Sequence, residues 1–150
     1  MNALIFYEKA ERIYNPSVAG QVLFIYNLLF NMKKTLIIGA SSNPERYSYL
    51  AAERLLAHGH EIELIGKRPD KVFDRTIDTE KKEYAGIDTV TLYLSEKFQP
   101  EYYDYILSLH PKRVIFNPGT ENSEFEELLK ENHIEPLENC TLVLLRTGQY

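Results

Sequence analysis

Apolar positions along the chain switch between a two-residue and a roughly 3.6-residue spacing, and the switches mark out its elements. Thr35 to Ile38 (TLII) is a short apolar, β-branched run closed by Gly39, the pattern of a central parallel strand buried on both faces. Ser42 with Glu45 has the spacing of a capping box, and Pro44 suits a first helical position. The spacing of Tyr47, Leu50, Ala51, Leu55 and Leu56 then predicts a helix from about Pro44 to His58, stopped at Gly59. Glu61 to Ile65 (EIELI) reads as the second strand, followed by a basic turn over residues 66–71.

Between that turn and residue 86 the chain is polar, with one plausible short strand near Thr76 and Ile77. Asp88 to Leu94 (DTVTLYL) is rich in residues that suit a pleated surface. Tyr102, Tyr103, Ile106 and Leu109 recur at helical spacing, predicting a helix over 100–109 that Pro111 ends. Arg113 to Phe116 (RVIF) is the next strand. Ser123 and Glu126 repeat the capping-box spacing ahead of a stripe formed by Phe125, Leu128 and Leu129, and this helix should run to about Asn132. Glu135 to Leu137 is a brief last strand, and Cys140 to Leu145 (CTLVLL) fits a strand or a helix. The order β-α-β-β-α-β-α-β predicts an α/β domain of three layers, its sheet mostly parallel and doubly wound.

The first 31 residues stand apart. Ala19 to Phe30 (AGQVLFIYNLLF) is the most apolar stretch, yet at 12 residues it is short of the roughly 20 that a bilayer requires. Glu8, Lys9, Glu11 and Arg12 are of mixed sign, unlike the basic start of a signal peptide. Met32-Lys33-Lys34 directly precedes the first strand, as many bacterial reading frames begin. Residues 1–31 therefore read as an N-terminal extension: an artefact of start-codon choice, a helix packed on the domain, or an apolar segment that docks on a partner or a membrane surface. Residues 32–150 form the domain proper.

Composition narrows the chemistry. With 150 residues, 44% hydrophobic and 26% charged, the chain is long enough for one domain with a real core. A formal charge of −5 argues against a nucleic-acid footprint, so any cationic site must be local. One cysteine, Cys140, rules out an internal disulfide and a thiolate zinc site and suits a reducing cytoplasm. The four histidines, His58, His60, His110 and His133, lack metal-ligand spacing, and no metal is expected.

Doubly wound sheets bind ligands beyond the carboxyl ends of their strands. Three loops fall there. Gly39-Ala40-Ser41-Ser42-Asn43 supplies a glycine, small side chains, hydroxyls and a following helix N-terminus, which together favour a phosphate. The dinucleotide fingerprint fails, because Ser41 and Pro44 stand where its second and third glycines belong. After the second strand come Lys67 and Arg68 in place of the acidic residue that holds an NAD ribose, and two cations suit the 2′-phosphate of NADP or the 3′-phosphate of coenzyme A. After the fourth strand, Asn117-Pro118-Gly119-Thr120 is a weaker signal, explained as well by a plain turn. Each loop has a purely structural reading beside the functional one. Cys140 reads as packing, the tyrosines of 102–105 as a helix face, and Glu124, Glu126 and Glu127 as a solvated surface.

On these residues the chain from Met32 onward, about four fifths of its length, resembles the small stand-alone CoA-binding-domain proteins, Rossmann-like and similar to the CoA-binding domain of the succinyl-CoA synthetase alpha subunit. The likeness is carried by LIIGASSNPERYSY (36–49), HGHEIELIGKRP (58–69), TVTLYLS (89–95), FNPGTEN (116–122) and CTLVLLRTGQY (140–150). It implies that Gly39 to Ser41, Asn43 and Arg46 border phosphates, that Lys67 faces the adenosine, and that Tyr93 and Asn117 to Gly119 line the rest of a groove for CoA or an acyl-CoA. The synthetase's phosphohistidine domain has no counterpart here, so the resemblance supplies no catalysis. Non-catalytic CoA binding is the leading expectation. An NADP-dependent or acyl-CoA-processing enzyme or subunit is the alternative, and an interaction domain with a vestigial pocket the third. Contacts with a partner protein or a second copy stay open.

Overall fold

The computed structural model describes residues 31–150, together with 18, 20–22, 25 and 26. The chain divides into two units, Met1–Met32 and Lys33–Tyr150. In the first, Val18, Gly20, Gln21, Val22, Ile25, Tyr26 and Asn31 are helical; the readings of residues 1–31 otherwise lie outside the described residues.

The second unit is a seven-stranded sheet with helices on both faces. Its strands are β1 (Lys34–Ile38), β2 (Glu61–Ile65), β3 (Asp70–Val72), β4 (Arg75–Asp78), β5 (Thr89–Leu92), β6 (Arg113–Phe116) and β7 (Glu135–Glu138), in the order β3-β4-β2-β1-β5-β6-β7. All pairs are parallel except β3 with β4. The fold is therefore the α/β, Rossmann-like sheet expected, with its switch in strand order between β1 and β5, where a crevice opens beyond the carboxyl ends.

Helices α1 (Tyr47–Ala57), α2 (Tyr103–Ser108), α3 (Ser123–Glu131) and α4 (Thr141–Arg146) cover the sheet. Alternation along β1 assigns the faces. Leu36 and Ile38 enter one core with Ile106 of α2 and Phe125 and Leu129 of α3. Ile37 enters the other with Ala52 and Leu55 of α1 and Leu145 of α4. All three β1 side chains are completely buried, and each contributes on the order of 1.5–3 kcal/mol of transfer free energy. Among the described residues no helix is long and apolar enough to cross a membrane.

Four local expectations need correction. Helix α1 begins at Tyr47 rather than Pro44 and has no capping box; Arg46 stands at its N-cap without a side-chain bond. The hydroxyl of Ser42 is engaged elsewhere, donating to Asp70 Oδ2 at 2.5 Å. Helix α3 is capped by Asn122, whose Oδ1 accepts from the Phe125 N–H at 3.0 Å, one residue earlier than the Ser123 proposed. The basic turn is shorter than expected, because Asp70 to Val72 forms β3 in a hairpin with β4. The strand of residues 88–94 is confined to Thr89–Leu92, while of the two readings left open after Cys140 the helix is the one formed, as α4. The misses at Ser42 and Ser123 share a cause: short polar side chains have several partners within reach, and tertiary contacts choose among them.

Candidate functional site

The first loop leaves β1 at Gly39, whose φ of 91° lies where side chains are strained. The N–H groups of Gly39 and Ala40 both donate to the Ile65 carbonyl, each at 2.9 Å, so they tie the loop to the end of β2. Asn43 N–H donates to Ser41 Oγ at 3.1 Å, Glu45 N–H to Asn43 Oδ1 at 2.9 Å and Arg46 N–H to the Asn43 carbonyl at 3.0 Å. Among the described residues, four N–H groups of this stretch then have no protein acceptor: Ser41, Ser42, Tyr47 and Ser48. The last two open α1, where the helix dipole adds to their partial positive charge. The uncommitted N–H groups of this loop thus lie later than its glycine.

The second wall follows β2. A Cβ on Gly66 would collide with the Ala40 carbonyl, so glycine is what lets the two loops touch. Lys67 and Arg68 are exposed beyond it. The Ser42 hydroxyl and the Lys71 N–H both donate to Asp70 and hold its carboxyl below the usual range.

Tyr93 closes the floor after β5. Its N–H donates to the Ile38 carbonyl at 2.8 Å, and burial pushes its phenol well above the ordinary tyrosine range. Together these loops enclose a cleft of about 710 Å³ lined by Gly39, Ala40, Ser41, Ser42, Asn43, Arg46, Lys67, Arg68 and Tyr93. Its volume falls within the roughly 300–1,000 Å³ typical of small-molecule sites.

Asn117, Pro118 and Gly119 are not brought to that cleft. Asn117 is buried and fully engaged: its Nδ2 donates to Thr91 Oγ1 at 2.7 Å and to the Leu92 carbonyl at 2.9 Å, and its Oδ1 accepts from the Thr141 N–H at 2.9 Å. It fastens β5 and β6 to the start of α4. Pro118 and Gly119 are exposed, and the Gly119 N–H is covered by the Glu121 carboxylate at 2.9 Å.

The cleft also recruits residues not singled out for the site, among them Tyr47, Ser48, Asp70, Ile77, Leu94, Ser95 and Phe98. For Phe98 a signal did exist, since it is a lone large apolar residue in the polar run SEKFQP. Ile77 lies on β4, the short strand expected near Thr76 and Ile77, and Asp70 on β3, which falls where a basic turn is expected.

Comparison with known proteins decides the family. The family model described as CoA binding domain matches residues 33–146. The chain belongs to that family. Membership associates it with CoA in general. A search of curated proteins returned no match. Among solved structures, one described as an uncharacterized protein is 56% identical, with a TM-score of 0.78 over 79% of this chain and 98% of that one. A hypothetical protein from Pyrococcus horikoshii OT3 is 24% identical with a TM-score of 0.72, covering 83% of this chain and 89% of its own. A Thermus thermophilus protein described as cell-free ID.343 is 18% identical at the same TM-score, over 84% and 96% respectively. The last two share the fold of this CoA binding domain.

Proposed function

We propose that this CoA binding domain holds CoA or an acyl-CoA in the cleft between β1, β2 and β5 and does no chemistry on it. One observation carries the reading: uncommitted N–H donors at Ser41, Ser42, Tyr47 and Ser48 share one cleft with the cations Arg46, Lys67 and Arg68. Donors of the first kind suit a diphosphate, because they need no reorganisation to meet it. The cations suit the ribose 3′-phosphate that separates CoA from most adenine nucleotides.

Binding without catalysis fits the titration of the lining. Asp70 is held down by its hydrogen bonds and Tyr93 is held up by burial, so neither exchanges a proton near neutrality. A cytoplasmic setting, where CoA is abundant, suits the free Cys140.

Calorimetry and thermal unfolding of the whole chain with CoA, acetyl-CoA, NADP, NAD and ATP test the assignment. CoA or acetyl-CoA should bind tightest and raise Tm most, and incubation should leave acetyl-CoA intact. Stabilisation by neither CoA species would overturn the reading, and turnover of acetyl-CoA would overturn its non-catalytic part.

A further inference from the structure

We propose that Phe98 is the surface on which the nucleotide base stacks, with Lys67 resting on its ring until the base takes that place. The inference rests on the cleft being a CoA site and adds to it a specificity-determining residue outside the three loops.

Phe98 is 39% exposed, lines the cleft and belongs to neither core cluster. An exposed aromatic ring that packs into neither core gains little for folding. Two ammonium groups are drawn to it: Lys67 Nζ lies 4.6 Å from the ring centroid and Lys97 Nζ 4.8 Å. Lys67 reaches it from the loop after β2, so the contact spans the cleft between two of its walls.

The ring is also held in place. The Phe98 backbone N–H donates to the Ser95 carbonyl at 3.0 Å, which fixes the chain that carries the ring. The adjacent Gln99 is buried, with Nε2 donating to the Leu94 carbonyl at 3.0 Å and the Thr120 carbonyl at 2.7 Å, and Oε1 accepting from Asn122 Nδ2 at 2.9 Å. A ring carried next to so firm an anchor loses little freedom when a flat partner lies on it.

An aromatic face with cations at its edge matches a purine whose ribose bears a phosphate. Stacking of a base on a ring is stronger than an exposed lysine contact, so the base displaces Lys67. The displaced ammonium is then free to meet the ribose phosphate. One residue thus serves two states.

The test uses the full chain with Phe98→Leu, which keeps apolar bulk without a ring, and Phe98→Tyr, which keeps the ring. CoA and adenosine 3′,5′-bisphosphate are titrated by calorimetry, and the adenine H2 and H8 protons are followed by NMR. Wild type and Phe98→Tyr should move both protons upfield on binding, through the ring current. Phe98→Leu should abolish that movement and weaken both ligands about ten-fold. Affinity within about two-fold of wild type for Phe98→Leu, with the upfield movement intact, overturns the inference. Should wild type bind neither ligand, the CoA reading itself falls, and stacking falls with it unless NADP shows the same ring-dependent movement.

Discussion

A Cβ added to Gly39 would lie 2.5 Å from the carbonyl oxygen of Tyr93, closer than real Cβ contacts come. The first loop after β1 and the floor after β5 are therefore in backbone contact, and the cleft exists because position 39 lacks a side chain. The φ of 91° adds a second penalty for any other residue. Gly39→Ala should lower stability by about 2–4 kcal/mol, the sum of backbone strain and overpacking. Urea denaturation checks this, and an unchanged midpoint would show that the loop relaxes freely. CoA affinity should fall further than stability alone explains, because relief of the clash widens the cleft.

Legibility in the sequence followed the strength of local constraints. β1 and β6 were readable because Leu36, Ile37 and Ile38 and their neighbours must be apolar on both faces of a central strand, and β2 because Ile62 and Leu64 alternate with Glu61 and Glu63. β3 was not, because only Val72 of its three residues is buried and three residues carry no period. At the site, Gly39 and the cations Lys67 and Arg68 announced themselves by type. Asp70 did not, and Phe98 showed only as a lone apolar residue, because their places depend on the β3–β4 hairpin and on the turn Glu96–Phe98 after β5. Asn117 illustrates the converse: an amide at a strand end looks like a ligand group, yet its three hydrogen bonds are spent on the fold.

The pairing of cations with a ribose phosphate separates CoA from its nearest analogue. If Lys67 and Arg68 meet the 3′-phosphate, Lys67→Ala with Arg68→Ala removes charge-assisted hydrogen bonds of about 1.5–3 kcal/mol each, reduced here by exposure. Affinity for CoA should drop at least about ten-fold while dephospho-CoA, which has no 3′-phosphate, changes little. Competition calorimetry with the two ligands measures the ratio. Equal losses would place both side chains outside the phosphate's reach.

Two helices end in the same way with different residues. After α1, Gly59 takes φ 80° and His60 N–H donates to the Leu55 carbonyl at 3.0 Å. After α3, His133 takes φ 59° and Ile134 N–H donates to the Leu129 carbonyl at 2.9 Å. A left-handed residue after a helix is easiest for glycine. His133 is exposed, so its side chain is dispensable. His133→Gly should raise stability by about 0.5–1 kcal/mol, read as a higher urea midpoint at constant slope. A lower midpoint would mean that the imidazole makes a contribution beyond its backbone angle.

His60 makes the fold sensitive to mild acid. Its Nδ1 accepts from the Lys33 N–H at 3.1 Å, and its ring lies 4.9 Å from that of Tyr150. Burial, the Lys33 ammonium, His58 and Arg113 all oppose protonation, outweighing Asp88, and pull its pKa down to about 4 from 6.5. Between those values the unfolded chain binds a proton that the folded chain refuses, so stability is full above pH 6.5 and falls as pH drops towards 4. Unscreened, a shift of this size would amount to about 3 kcal/mol; for a half-buried ring, solvent screening reduces it to about 1 kcal/mol. Asp78, held low by the Lys82 and Tyr84 hydrogen bonds, loses its contribution in a separate window, below its ordinary value of 3.8. Urea midpoints measured from pH 7.5 to 4.5 should therefore decline in wild type. His60→Asn, which keeps an acceptor but cannot titrate, should flatten that decline. An equal decline in both proteins would move the sensitivity to another group.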